Sequence, residues 1–142
     1  MSTQTAPVER FKAYFRTLHE SDLSQLHDVY SDQVVFMDPV HEIKGLVEVE
    51  DYFTAMCADL SACKFEYLDE MVNDNAAYIK WLMHFKHPKL GNRLISVRGV
   101  SHLQFSDKID FHEDVYDMGA MLYEQIPWLG NVTRWFKRRL AG

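Results

Sequence analysis

Cysteine, proline and glycine are all scarce in this chain of 142 residues, which has two cysteines, four prolines and six glycines. Cys57 and Cys63 match the spacing of neither a zinc site nor a disulfide framework. They therefore predict a reduced, cytoplasmic protein without a bound metal. The chain also lacks a glycine-rich phosphate loop and a serine nucleophile elbow. We expect no cofactor.

Long apolar runs are missing as well. No stretch approaches the roughly 20 residues that span a bilayer, and the first residues, MSTQTAPVERF, lack a secretion signal. Acidic residues outnumber basic ones by 21 to 15, which gives a net charge of −6. Four basic residues follow the last acidic residue, Glu124; without them 11 basic residues face 21 acidic ones, a charge of −10. Such a body repels nucleic acid, so we expect no nucleic-acid partner.

Aromatic residues, by contrast, are abundant at 13% of the chain. They suit either a packed core or a cavity for an apolar ligand. Helical spacing and strand alternation follow one another along the chain. The predicted helices are residues 8–18, 23–30 and 47–60, and the predicted strands are residues 33–37, 64–72, 79–86, 95–105 and 108–116. Helices followed by a meander of strands are typical of an α+β domain with helices on one face of a sheet.

The chain divides into three predicted parts. We expect a disordered N-terminus at residues 1–6, a single domain at 7–118 and a helical, basic tail at 119–142. The apolar residues of this tail recur at helical spacing: Met121, Leu122, Ile126, Leu129, Val132, Trp135, Phe136 and Leu140. Two interpretations remain open. The tail packs on the domain or on a partner subunit, or it makes a weak contact with a membrane surface.

Two acidic positions stand out in the predicted strands. Asp38 ends the apolar run at residues 34–37 and precedes Pro39. It is either a turn residue or a carboxylate at the end of a buried strand. In the last strand, alternation puts Asp110, His112, Asp114 and Tyr116 on one face. That face is either solvated or lines a pocket in which His112 and Asp114 form an acid–base pair.

A wider pattern connects these positions. Tyr14 in the first helix is followed by Asp22-Leu23, then by Asp38-Pro39-Val40, Gly45 and the pair Tyr52-Phe53. This pattern resembles the ketosteroid isomerase and SnoaL-like polyketide cyclase group of the nuclear transport factor 2-like superfamily, over about residues 8–117. The resemblance implies an α+β cone. Three N-terminal helices would pack on a strongly curved, mostly antiparallel sheet and enclose a cavity.

The resemblance also implies roles for individual residues. Asp38 matches the general base of ketosteroid isomerases, and Tyr14 matches their oxyanion donor. Ser101 stands where the isomerases have a protonated acid, and a serine hydroxyl is a weaker donor. SnoaL-like cyclases carry an acidic residue on the last strand. This implies Asp114, with His112 nearby, as an alternative base.

These features together predict a cofactor-free isomerase, cyclase or related lyase. It would remove a proton beside the carbonyl of a small or medium apolar compound. The predicted substrate-binding residues are Phe11, Phe36, Tyr52, Trp81, Val97, Leu103 and Tyr116. The alternative is a non-catalytic module of the same fold that binds an apolar ligand or dimerises. We expect a homodimer formed through the outer sheet face, which carries Lys80, His84 and His102.

Overall fold

The computed structural model describes residues 6–121 and 127–142. Its helices and strands are α1 (Ala6–Arg16), β1 (Tyr30–Met37), β2 (Glu42–Lys44), α2 (Leu46–Ala58), β3 (Ala62–Val72), β4 (Ala76–Lys86), β5 (Ile95–Phe105), β6 (Ile109–Tyr116), α3 (Met118–Met121) and α4 (Pro127–Ala141). Short 3₁₀ helices occupy Leu18–Glu20, Leu23–Asp28 and Pro88–Leu90. The predicted disordered segment lies outside the described residues except for Ala6, and so do Leu122 and Ile126 of the predicted tail.

The N-terminal helices differ from the prediction at one place. α1 forms as expected, because Val8, Phe11 and Phe15 lie on one face and are buried. The second predicted helix is instead a 3₁₀ segment, in which the Asp22 carboxylate accepts the Ser24 backbone N–H at 3.0 Å. Six residues are too few to make an α-helix stable by themselves. The chain therefore extends early, and Tyr30 becomes the first residue of β1.

The six strands form one sheet in the order β2-β1-β6-β5-β4-β3. β1 and β6 are parallel, and every other described pair of neighbours is antiparallel. Breaks in register occur between Tyr67 and Asp69 and between Gln104 and Phe105, and such bulges bend and twist a sheet. The sheet is curved and unclosed, with the helices packed on it. The predicted α+β cone is therefore confirmed.

The two faces of the sheet differ in character. The inner face carries the core, including Ile79, Trp81 and Leu103. On the outer face, Tyr78 stacks on His102 with ring centroids 4.4 Å apart, and His84 bonds Glu66 and Ser96. Lys80, His84 and His102 alternate with the buried positions, as expected for outward-facing residues. The homodimer through this face stays a prediction.

The last strand departs from strict alternation at Asp110. The register slips in the β5–β6 ladder, where Gln104 pairs with Phe111 and Phe105 with Ile109. Asp110 is the extra residue and is exposed, while Ile109 and His112 are both buried. The sequence-based grouping of Asp110 with His112 is therefore wrong. After the bulge, Val115 is exposed, and His112, Asp114 and Tyr116 line the inner face.

β4 and β5 make a close contact on the inner face of the sheet. Gly99 pairs with Trp81 across the two strands. A Cβ atom on Gly99 would lie 2.3 Å from Cη2 and 2.6 Å from Cζ2 of the Trp81 indole. Trp81 is 1% exposed and cannot swing into solvent. Only glycine fits under this ring.

We predict that Gly99→Ala lowers the free energy of unfolding by about 1–3 kcal/mol, because a methyl group overpacks the core. Urea titration followed by circular dichroism measures this change. Gln104→Ala, on the outward face of the same strand, is the control and should have little effect. Phe lacks the outer ring atoms of Trp, so adding Trp81→Phe to Gly99→Ala should recover part of the loss. If Gly99→Ala has wild-type stability, the packing described here is wrong.

Candidate functional site

A cavity lies between α1, α2, α3 and the inner face of the sheet. Its volume is about 70 Å³. Its lining is mostly aromatic and aliphatic: Phe11, Phe15, Phe36, Asp38, Tyr52, Phe53, Met56, Phe65, Tyr67, Trp81, Met83, Ser101, His112, Asp114, Tyr116 and Met121. Two carboxylates therefore share one largely apolar space.

The first of these carboxylates, Asp114, accepts hydrogen bonds from two buried side chains. Its side chain is 16% exposed, and Ser101 lies directly opposite it across the β5–β6 ladder. Oδ1 accepts the Ser101 hydroxyl at 2.5 Å and faces His112 Nε2 at 2.6 Å. Distances this short are typical of hydrogen bonds to a charged acceptor. A carboxylate out of water needs such donors to stay charged.

The hydrogen of Ser101 has a defined direction. Trp81 Nε1 lies 2.9 Å from Ser101 Oγ, and both residues are buried. Indole nitrogen can only donate, so Ser101 must accept from Trp81. The serine hydrogen is then left to point at Asp114. Ser101, expected to bind an oxyanion, instead has its hydroxyl committed to this carboxylate.

The protonation of His112 is fixed in a similar way by Tyr30. The Tyr30 hydroxyl lies 2.6 Å from His112 Nδ1, and neither side chain is more than 2% exposed. Burial, and then the charge of Asp114, raise the pKa of Tyr30 well above its ordinary value, so the phenol keeps its proton. When the His112 ring is neutral, the phenol donates that proton to Nδ1. A neutral His112 must then carry its hydrogen on Nε2 and donate it to Asp114.

Four residues thus form two chains of hydrogen bonds, and both chains end at the same oxygen of Asp114. Trp81 donates to Ser101, Tyr30 donates to His112, and these two partners both donate to Asp114 Oδ1. Phe11 and Phe36 place their rings edge-on to the His112 ring, each with centroids 5.0 Å away. Within the described residues, Asp114 Oδ2 has no hydrogen-bond partner.

Asp38 lines the same cavity, but its oxygens are occupied. Oδ1 accepts the backbone N–H groups of Val40 and His41 at 2.8 and 2.7 Å. His41 Nδ1 approaches to 3.0 Å, and Tyr52 donates its hydroxyl to Oδ2 at 3.0 Å. Two backbone N–H groups and one phenol thus donate to this carboxylate, and the His41 ring lies within hydrogen-bond distance of it. Both interpretations of Asp38 therefore hold, since it makes the turn after β1 and also lies in the cavity wall.

Tyr116 is the phenol best placed to donate to a ligand. It lines the cavity at the end of β6. Burial is the main cause that raises its pKa, followed by the charges of Asp38 and Asp114, so the hydroxyl stays protonated. Within the described chain, no hydrogen bond occupies this hydroxyl. The hydroxyls of Tyr52 and Tyr67 are already used, on Asp38 and on the Lys12 carbonyl.

Three of the residues assigned from the sequence lie elsewhere. Tyr14 donates its hydroxyl to the Asp22 carbonyl at 2.8 Å and does not line the cavity. The 3₁₀ segment that replaces the predicted helix brings this acceptor close. Val97 and Leu103 are fully buried in the core, but on β5 the cavity is reached only by Ser101. The Trp81 indole covers Gly99, between Ser101 and Val97.

The remaining predicted residues do line the cavity together: Asp38, Ser101, His112, Asp114, Phe11, Phe36, Tyr52, Trp81 and Tyr116. Their catalytic or binding roles stay predictions. Sequence analysis missed Tyr30, because its spacing from Leu23 and Leu26 indicates a helix. In residues 6–121 and 127–142, no cluster of three or more His, Cys, Asp or Glu side chains could hold a metal ion.

A cone of helices and curved sheet around an apolar cavity is the architecture of the nuclear transport factor 2-like superfamily. Within it, the model of the SnoaL-like domain matches residues 11–110. The chain therefore belongs to the SnoaL-like domain family, which has the fold of polyketide cyclases and ketosteroid isomerases. No functionally curated protein matches the chain.

Solved structures share this fold at low sequence identity. A candidate SnoaL-like polyketide cyclase from Shewanella putrefaciens is 16% identical, with a TM-score of 0.71 over 85% of this chain and 94% of that one. A protein with a ketosteroid isomerase-like fold from Catenulispora acidiphila, in complex with trimethylamine, is 11% identical (TM-score 0.72, 82% and 89% covered). An NTF2-like protein of unknown function from Burkholderia pseudomallei is 14% identical (TM-score 0.74, 86% and 96% covered).

We predict that Tyr30→Phe allows His112 to populate both of its neutral tautomers. In the wild type, nitrogen NMR of labelled histidine should show His112 with a bare Nδ1 and a protonated Nε2. Without the phenol, a second tautomer should appear, and stability should fall by about 1–2 kcal/mol because a buried acceptor loses its donor. His112→Asn identifies the signals. Tyr78→Phe, the same change on the surface, should leave them unaltered; a protonated Nδ1 in the wild type would contradict the assignment.

Proposed function

We propose that this protein is a cofactor-free isomerase, cyclase or related lyase that removes a proton beside the carbonyl group of an apolar compound. The observation that carries the proposal is the Asp114 carboxylate. It lies in an aromatic cavity, Ser101 and His112 hold one of its oxygens, and the other oxygen is available. A carboxylate fixed in this way, away from water, is suited to act as a general base.

The reaction uses two groups on the same strand. Asp114 Oδ2 takes the proton from the carbon next to the carbonyl, and the electrons of the broken C–H bond move to form an enolate. Tyr116 donates its hydroxyl to the enolate oxygen, whose charge develops only in the transition state. Asp114 then returns the proton to another carbon in an isomerisation. In a cyclisation, the enolate carbon attacks a second carbonyl, and the new alkoxide takes the proton.

Asp114 is a better base than Asp38 for a geometric reason. Two of the donors on Asp38 are backbone N–H groups of its own turn, which cannot move away without unfolding that turn. Asp114 has two donors on Oδ1, and among the described residues none donates to Oδ2. Asp38 acts on the site from a distance, since its charge helps to keep Tyr116 protonated.

The cavity restricts the substrate to a compact apolar molecule. The lining offers aromatic rings and methionines, with few polar groups that are not already bonded to one another. The space of about 70 Å³ accepts a small ring or a short branched ketone. A larger substrate requires Met56, Met83 or Met121 to move, and methionine side chains adapt readily.

A second candidate function is a binding module that holds an apolar ligand without reaction. The mainly apolar lining supports it, because such a wall binds ligands whether or not a base is present. The convergence of Asp38, His112 and Asp114 on one cavity favours catalysis, since burial of two carboxylates weakens a site that only binds apolar molecules.

We predict that the protein exchanges protons of small ketones for deuterium, as followed by proton NMR. Asp114→Asn should reduce the rate by about 10²–10⁴-fold, because the base is lost. Tyr116→Phe should reduce it by about 10²-fold, because one oxyanion donor is lost. The matched changes Asp38→Asn and Tyr67→Phe lie in the same cavity and should reduce the rate by less than about tenfold.

The outcomes separate the alternatives. If Asp38→Asn abolishes exchange and Asp114→Asn does not, the base is assigned to the wrong carboxylate. If none of the small ketones tested exchanges faster than in buffer, while the same ketones raise the melting temperature of the protein, the protein is a binding module.

A further inference from the structure

The last helix presents an unusual surface. In α4, Val132, Trp135, Phe136 and Leu140 are 46%, 50%, 56% and 87% exposed. Their spacing of three, one and four residues puts them in one stripe along the helix. Large apolar side chains are seldom grouped in this way on a surface that remains in water. This stripe, which we call the apolar stripe, therefore needs a partner.

The rest of α4 is cationic. Arg134, Lys137 and Arg138 lie on the side away from the apolar stripe, at about 100° of rotation per residue. By the same rotation Arg139 falls within the arc of the apolar stripe, between Trp135 and Val132, and its guanidinium lies 5.7 Å from the centre of the Trp135 ring. Residues 127–142 contain these four basic residues and no acidic one, whereas the remainder of the chain carries −10. The charge of this helix is opposite to that of the domain that carries it.

α4 is also held next to the cavity. Lys137 Nζ lies 3.4 Å from Asp117 Oδ1, between β6 and α3. The same ammonium would lie 2.8 Å from a Cβ atom on Gly119 of α3, so the Lys137 side chain reaches the start of α3. Met121, at the end of α3, lines the cavity. A surface that binds α4 thus approaches one wall of the cavity.

We propose that α4 binds the surface of an anionic phospholipid membrane and lies in its plane. Tryptophan, phenylalanine and leucine insert at the boundary of headgroups and acyl chains, and the arginines bind the acidic headgroups, while Lys137 stays paired with Asp117. No helix of the described residues has the length and apolar character needed to cross a bilayer. The acidic domain is repelled by the same surface, so α4 makes the contact and the domain stays in water.

This proposal does not depend on the reaction at Asp114, but it gives the cavity a source of ligand. Apolar carbonyl compounds concentrate in membranes rather than in water. A protein held on the bilayer by α4 would have the wall formed by Met121 close to that supply.

The test is sedimentation of the full chain with vesicles. The chain should bind phosphatidylcholine vesicles that contain phosphatidylglycerol, bind pure phosphatidylcholine vesicles at least about tenfold more weakly, and dissociate as salt is raised. Leu140→Ser and Arg138→Glu should each lower the affinity several-fold. Their matched controls are Leu94→Ser, another exposed leucine, and Lys64→Glu, the same change of charge on the sheet; both should bind like the wild type.

Three results would overturn the proposal. The first is no sedimentation with acidic vesicles at low salt. The second is equal loss of binding in the tail variants and in their controls. The third is a self-association of the chain in gel filtration that Leu140→Ser abolishes while vesicles capture no protein, since a second copy would then cover the apolar stripe. Melting curves show whether the four variants are folded. If Leu140→Ser is not folded, Phe136→Ser takes its place.

Discussion

A charged carboxylate in an aromatic cavity is stable only if donors replace the water it has lost. At Asp114 those donors are Ser101 and His112, and each is oriented by a further buried partner. The network needs β6 to lie between β1 and β5, because Tyr30 comes from β1 and Ser101 from β5. The hydrogen bonds around Asp114 therefore depend on this order of strands.

The two carboxylates of the cavity are held in different ways. Asp38 is held by the backbone of its own turn and by Tyr52, so it fixes the end of β1 and the position of α2. Asp114 is held by side chains alone, and one of its oxygens stays open. The electrostatic influence of both reaches Tyr116. A family resemblance carried by the Asp-Pro motif thus points to the right cavity and to the more constrained of its two acids.

Local patterns in the sequence predict much of this arrangement. Period-two alternation is enough to find the long strands and to put His112 and Asp114 on one face. It fails at Asp110, because a bulge depends on the pairing of two strands and not on one. The role of Tyr30 is beyond such patterns, since its partner His112 is 82 residues away. The direction of the Tyr14 hydroxyl is decided by a nearby carbonyl, which periodicity cannot show.

The parallel pairing of β1 with β6 has a consequence for synthesis of the chain. β1 is made before its partner at residues 109–116, because β2, α2, β3, β4 and β5 all lie between them in the chain. Until β6 arrives, the hairpins of β3, β4 and β5 can pair with one another, while one edge of β1 and one edge of β5 stay open. Insertion of the final strand covers both edges and brings His112 and Asp114 to Tyr30 and Ser101 in one event. A nascent chain without β6 would therefore have most of its sheet and none of the hydrogen bonds that hold Asp114.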